Sequence, residues 1–187
     1  QHVTALVRSC NAQLRSIGQA RRFLTKDATE KVLHAFISSR LDNGNSLLYG
    51  LPDFLIQKLQ CVQNTAARIL TRTKKCEHIS PILRSLHWLP VSKRIDYKIM
   101  TLTYKCLHNL APYYLQELIH PYEPSRLLRS SSQVLLHVPK TRLKTYGDRS
   151  LAKAAPTLWN SLPQNIRESK SWGVFKTSLK THLFSQG

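Results

Sequence analysis

PDFLIQKLQCVQNTAARILTRTKK, residues 52–75, decides the fold. Leu55, Leu59, Val62, Ala66 and Ile69 step by four, three, four and three, which is the spacing of one face of an α-helix. Pro52 stands where a helix begins, and Lys58, Thr65, Arg68 and Arg72 lie away from the apolar side. Lys74 and Lys75 extend the basic end. The helix macrodipole stabilises cations near a C-terminus, so part of this cluster requires no ligand. Five basic residues between positions 58 and 75 still exceed what capping asks for.

The same period continues on both sides. Upstream, Val3, Leu6, Val7, Cys10, Leu14 and Ile17 define a helix over Val3–Leu24, with Arg8, Arg15 and Arg22 recurring on another face. Asp27 followed by Glu30 reads as a capping box, and Val32, Leu33, Phe36, Ile37 and Leu41 give the helix it starts an apolar face. Asp42-Asn43-Gly44-Asn45 ends that helix, because Gly and Asn tolerate the left-handed conformation of a C-cap. Downstream, Pro81 opens a short element. Leu86-His87-Trp88-Leu89-Pro90-Val91 then reads as a buried connector, since Pro90 biases Leu89 away from helix. A further helix spans Ser92–His108, burying Ile95, Ile99, Leu102 and Cys106, with Arg94, Lys98 and Lys105 outside. Leu110-Ala111-Pro112 breaks it before a short helix over Tyr113–Ile119.

The character changes after His120. Pro121, Pro124, Ser125 and Ser130-Ser131-Ser132 mark a linker, and Val134-Leu135-Leu136-His137-Val138 is a β-prone run stopped by Pro139. One hairpin is expected there. Two short helical stretches follow, Arg149–Ala155 and Pro156–Leu162, with Pro156 opening the second. A last helix from Ser171 aligns Phe175, Leu179 and Leu183. The expected fold is mainly α. A helical bundle over 1–120 leads through a linker at 121–133 to a small basic α+β extension with one short hairpin over 134–187.

Charge bounds the function. Across 187 residues, 28 Lys and Arg oppose ten Asp and Glu, a formal +18. Each phosphate neutralised by a protein cation releases condensed counterions, so the imbalance points first to RNA or DNA as partner, ahead of an acidic membrane surface or an acidic protein. No apolar run approaches the ~18 residues of a membrane span, and the first residues show no secretory pattern. No membrane partner is expected. With no initiator Met, the chain reads as a piece of something longer, in an intracellular setting (the nucleus or a cytoplasmic ribonucleoprotein).

Catalytic chemistry is not visible. Cys10, Cys61, Cys76 and Cys106 form no zinc knuckle, and Cys10, Cys61 and Cys106 are expected on apolar helix faces as reduced thiols. Nucleotidyl transfer uses metal ions held by clustered carboxylates, yet the only acidic pair at close spacing is Asp27 with Glu30. No Gly-rich phosphate loop, metal-binding histidine pair or nucleophile elbow occurs.

An ordered set of blocks adds a resemblance. It begins with His34-Ala35-Phe36-Ile37-Ser38-Ser39-Arg40-Leu41-Asp42, Asn45-Ser46-Leu47 and Gly50-Leu51-Pro52. Leu59-Gln60-Cys61-Val62-Gln63-Asn64, Ala66-Ala67-Arg68, Leu86-His87-Trp88-Leu89-Pro90-Val91 and Leu110-Ala111-Pro112 follow. Gly147-Asp148-Arg149-Ser150, Ala155-Pro156-Thr157-Leu158-Trp159-Asn160-Ser161-Leu162-Pro163, Phe175-Lys176 and Leu179-Lys180-Thr181-His182-Leu183-Phe184 complete it. The order resembles the region after the polymerase palm in reverse transcriptases of jockey-type non-LTR, LINE-like retrotransposons. Asn43-Gly44 departs from the Tyr-Cys that this resemblance leads one to expect.

The resemblance implies the end of the palm, a helical thumb and a C-terminal extension. The catalytic Asp-Asp pair and its Mg would then lie in the parent polypeptide's upstream palm, which with the fingers would be the chain's protein partner. This chain is expected to hold no cofactor and to synthesise no DNA by itself. Its expected role is to hold an RNA or RNA–DNA duplex through Arg68, Arg72, Lys74, Lys75, Arg94 and Lys98, and through Arg126, Arg129, Lys140, Arg142, Lys144 and Arg149 of the extension. Trp88 and Tyr104 are candidates to stack on a base, with a core role the expectation for Trp88. A free-standing domesticated nucleic-acid-binding protein and a purely structural helical module are the alternatives.

Overall fold

The structure, a computed structural model, describes residues 1–123, 134–143 and 146–186. These are mainly helical, as the periodicity predicts, and contain no strand beyond one isolated bridge. Helix α1 (His2–Ala20) ends in a 3₁₀ turn at Arg21–Phe23. Helix α2 (Lys26–Leu33) runs through a π-turn at His34–Ser38 into α3 (Ser39–Asp42). After a 3₁₀ turn at Asn45–Leu48 come α4 (Asp53–Thr71), α5 (Ile79–Ser85), α6 (Val91–Leu107) and α7 (Tyr113–Gln116). The last elements are α8 (Leu151–Asn160), α9 (Gln164–Arg167) and α10 (Trp172–Ser185). The chain divides into two compact units, Gln1–Arg94 and Ile95–Gly187, so that α6 contributes to both. The composition change near 120–125 lies inside the second unit.

In the first unit α1 and α2 pack on α4, and α5 folds back onto it. Val3, Cys10, Leu14 and Ile17 of α1 are buried, as are Leu59, Val62, Ala66, Ala67 and Leu70 of α4. Cys61 is exposed, against the sequence expectation. It stands two residues after Leu59, about 200° around the helix, and so on the side away from the core. The cap of α2 also differs. Thr25, extended at φ −67° and ψ 165°, accepts from the Ala28 N–H at 3.2 Å, and its carbonyl takes Thr29 N–H at 3.0 Å. Asp27 therefore sits in the first turn, paired with Lys31 at 2.7 Å, and Glu30 faces His34. Thr25 wins because the cap must have non-helical backbone. The helix stops within the expected Asp42–Asn45 stretch, but its cap, Asn43, is extended at φ −69° and ψ 111°, and the left-handed residue is Gly44, at φ +62°, which opens the next 3₁₀ turn.

The connector before α6 is the costly part of this unit. Trp88 and Leu89 are buried, and Pro90 has no N–H to offer. Side-chain amides of α4 satisfy the backbone there. Gln63, 1% exposed, donates to the Leu89 carbonyl at 2.8 Å. Gln60 accepts the Val91 N–H, an orphan donor of the first helical turn, at 2.8 Å. Gln60 also donates to Gln63 and Asn64 at 3.0 and 2.8 Å, which fixes the amide orientations. His34 packs its ring 5.4 Å from that of Trp88.

The second unit is built around α10, whose Phe175, Leu179 and Leu183 are fully buried as predicted. Ser171 caps the helix by accepting from Val174 N–H. Tyr104 stacks on Phe175 with ring centres 4.3 Å apart and donates to the Ser169 carbonyl at 3.2 Å, and Trp159 lies 5.8 Å from Phe175. Contrary to the sequence reading, α8 runs unbroken through Pro156. An interior proline costs roughly 3 kcal/mol through its lost hydrogen bond and ring clash. Here Ala154, Ala155, Pro156 and Trp159 are all buried, and their packing holds the turn.

The expected hairpin is absent among the described residues. The run at Val134–Val138 is extended, but its partners lie elsewhere. Pro121 and Leu136 form an isolated antiparallel bridge, with His137 N–H on the His120 carbonyl and Tyr122 N–H on that of Leu135, both at 2.9 Å. Asn160 grips Leu136 from α8, accepting its N–H at 2.9 Å and donating to its carbonyl at 2.8 Å. Trp159 donates to the Val134 carbonyl at 2.8 Å. The β-prone segment thus divides its hydrogen bonds between the backbone of residues 120–122 on one edge and side chains of α8 on the other. Ser130-Ser131-Ser132 and most of the 121–133 linker lie outside the described residues.

Burial pushes the Cys106 thiol up, and that of Cys10 as well, against a smaller opposing pull from Arg40. Both are therefore protonated at neutral pH. A thiol reagent should modify Cys61 and Cys76 of the native chain quickly and reach Cys10 and Cys106 only on unfolding. Titration of reactive thiols before and after denaturant checks this. Replacing Gln63 by Leu strands the buried Leu89 carbonyl and should cost about 2 kcal/mol in a urea titration.

Candidate nucleic-acid interface

Helix α4 ends at Thr71, and Arg72 closes it in the left-handed conformation at φ 57°, its N–H on the Arg68 carbonyl. Glycine is the easy residue for such a cap; an L-residue there costs roughly 1 kcal/mol. The turn that follows is tied down by local bonds. Glu77 accepts the Lys74 N–H at 3.2 Å, and Glu77 N–H reaches the Lys74 carbonyl at 3.3 Å. Arg68 spends its guanidinium on this turn, donating to the carbonyls of Lys75 at 3.4 Å and Glu77 at 3.1 Å. Arg72, Lys74 and Lys75 are left exposed on a braced turn. The negative end of the α4 dipole favours them there.

Arg21 was not singled out by periodicity, yet it fixes this end of the unit. From the 3₁₀ turn after α1 it donates through Nε to the Ile69 carbonyl at 3.1 Å and through Nη2 to that of Leu70 at 3.3 Å. Nη1 donates to the Leu24 carbonyl at 2.8 Å. One planar guanidinium thus caps the orphan carbonyls of α4 and holds the following turn against it. A signal existed in the doubled Arg21-Arg22 after an amphipathic helix, but nothing local distinguishes a capping arginine from a solvated one.

The remaining expected residues differ in surroundings. Arg94 forms a two-pronged pair with Asp42, Nε to Oδ1 at 2.9 Å and Nη2 to Oδ2, so its charge is already met. In the second unit Lys98, Lys140 and Arg142 are exposed, and Arg149 is half-buried. Lys153 pairs with Asp148 and donates to Thr141 at 2.9 Å, while Thr141 donates to Asp148 at 2.5 Å. Gly147 is required at this turn, because a Cβ would stand 2.6 Å from the Leu143 carbonyl oxygen. Arg126, Arg129 and Lys144 lie outside the described residues.

Neither aromatic candidate is free to stack. Trp88 is 6% and Tyr104 2% exposed, and both are core. Trp172 is instead the half-buried ring among cations, with Lys105 and Lys176 ammonium groups 5.1 and 5.5 Å from its centre. In the first unit Phe23 is 78% exposed with the Arg22 guanidinium 4.7 Å from its ring centre. Among the described residues no three His, Cys, Asp or Glu side chains gather as metal ligands, and no helix is long and apolar enough to cross a membrane.

Comparison with protein-family models, curated proteins and solved structures finds no match for this chain.

Arg21→Ala removes three bonds from a charged donor, and about 2 kcal/mol of stability should go with them. Lys in its place cannot reach three carbonyls from one ammonium and should recover little. Denaturant melts of the three proteins check both statements.

Proposed function

We propose that this chain is the post-palm region of a jockey-type non-LTR retrotransposon reverse transcriptase, comprising palm end, thumb and C-terminal extension. In this reading it grips an RNA or RNA–DNA duplex without taking part in the polymerisation chemistry. The observation that carries the binding half is the exposed triplet Arg72, Lys74 and Lys75 on a turn braced by Arg68 and Glu77, within a chain of formal charge +18. Ten carboxylates cannot neutralise 28 cations in any arrangement, and 28 minus 10 leaves eighteen charges for solvent or a polyanion.

The attribution to a reverse transcriptase rests on the ordered resemblance. Support comes from what those blocks do in the fold. Gln60 and Gln63 serve the Leu-His-Trp-Leu-Pro-Val connector, Trp159 and Asn160 hold the segment around Leu136, and Gly147 permits a close turn. They are bracing residues, which suits a region that positions a duplex while carboxylates elsewhere hold the metal.

The test is a titration of labelled RNA, RNA–DNA and DNA duplexes at several salt concentrations. If about five phosphates are neutralised, log K should fall against log salt with a slope of roughly −4 to −5 on duplex DNA. Changing Arg72, Lys74 and Lys75 together to Ala should weaken every sequence about equally and make the slope shallower by about 2 to 3. Arg68 is left in place so that the turn stays folded. A slope near zero would leave the chain as a structural helical module.

A further inference from the structure

The turn after α1 carries a feature that duplex binding leaves unused. Phe23 is 78% exposed. Arg22 covers one side of its ring at 4.7 Å. The turn does not float. Arg21 pins it to the Ile69 and Leu70 carbonyls at 3.1 and 3.3 Å, and Leu24 N–H closes it on the Arg21 carbonyl at 3.4 Å. Leu70 is two residues before Arg72, so the same bonds tie the turn that carries Phe23 to the end of α4 from which Arg72, Lys74 and Lys75 follow. Lys26, also exposed, follows three residues later in the chain.

We propose that Phe23 is a stacking platform for an unpaired nucleotide, with Arg22, Lys26, Arg72, Lys74 and Lys75 holding the phosphates on either side. The inference rests on the nucleic-acid reading above and narrows its ligand to a strand with at least one unstacked base. Every base has a π-face, so an exposed aromatic ring among cations binds single strands with little sequence preference. Inside a duplex the bases are already stacked on each other, and the ring has nothing to receive. An exposed phenylalanine with a guanidinium against it therefore fits the single-stranded end of a template or primer, while the cations alone serve the paired part.

The experiment compares wild type, Phe23→Ala and Phe23→Trp on three probes of equal length: single-stranded RNA, single-stranded DNA and a blunt duplex. Phe23 is exposed, so both variants should keep the wild-type circular dichroism spectrum and melting temperature. Phe23→Ala should weaken both single strands about tenfold and leave the blunt duplex unchanged within about twofold. Phe23→Trp should restore single-strand binding, and its added fluorescence should be quenched as the strand saturates. Equal single-strand affinity for wild type and Phe23→Ala, or binding to Phe23→Trp without quenching, overturns the platform while duplex binding stands. Failure of wild type to bind any of the three at low salt overturns the platform together with the nucleic-acid reading.

Discussion

Gln63 sits in the middle of α4 with its side chain 1% exposed, and its amide reaches across 26 residues of chain to the Leu89 carbonyl. A buried polar side chain is tolerated only when its bonds are made, and a buried carbonyl of an irregular segment makes the same demand from the other side. The two requirements meet at 2.8 Å. Everything at the start of α6 depends on this, since Gln60, oriented by Gln63 and Asn64, completes the Val91 N–H. Without the pair, the Trp88–Pro90 stretch would have to leave the core to find water, and the ring of His34 would lose its neighbour.

The second unit answers the same constraint with a different residue. Asn160 offers one acceptor and one donor to Leu136, which is what a neighbouring strand would have offered. An amide side chain at the end of a helix thereby replaces a strand. Pro139 forecloses the alternative, having no N–H to extend a ladder past Val138. The extended segment accordingly stops after a single bridge.

How far the sequence discloses this follows from the range of each interaction. Helices α1, α4, α6 and α10 are legible because each buries a stripe at three- and four-residue spacing, and a stripe is a local property. The exposure of Cys61 is legible too, once its angle from Leu59 is counted; its chemistry as a small hydrophobe misleads. The Thr25 cap is harder, because Thr25 and Asp27 are both good caps and only the backbone angle chooses. Pro156 and the absent hairpin are tertiary outcomes. Trp159 and Asn160 hold a segment 25 and 24 residues away, beyond the reach of a local sequence window. Of the candidate site, the exposure of Arg72, Lys74, Lys75, Lys98, Lys140 and Arg142 follows from their distance from the apolar stripes or their place in polar loops. The engagement of Arg94 by Asp42 and of Arg68 by its own loop does not, since composition counts a paired and an unpaired cation alike.

That difference changes how a charge of +18 should be understood. Arg21, Arg68 and Arg94 are cations that direct guanidinium donors to carbonyls or a carboxylate within the first unit. Arginine suits this work because its five donors lie in one plane and its charge cannot be removed by burial. These residues form the frame. Arg22, Lys26, Arg72, Lys74 and Lys75 are held out by it, and their exposure has an energetic reason: like charges on adjacent turns repel, so they are tolerated where water screens them. A polyanion drawn to such a place gains counterion release and relieves that repulsion together, with no rearrangement of the helices beneath. In the proposed reading the basic surface needs no rearrangement to meet a polyanion, because guanidinium groups engaged within the unit already hold the turns that carry it.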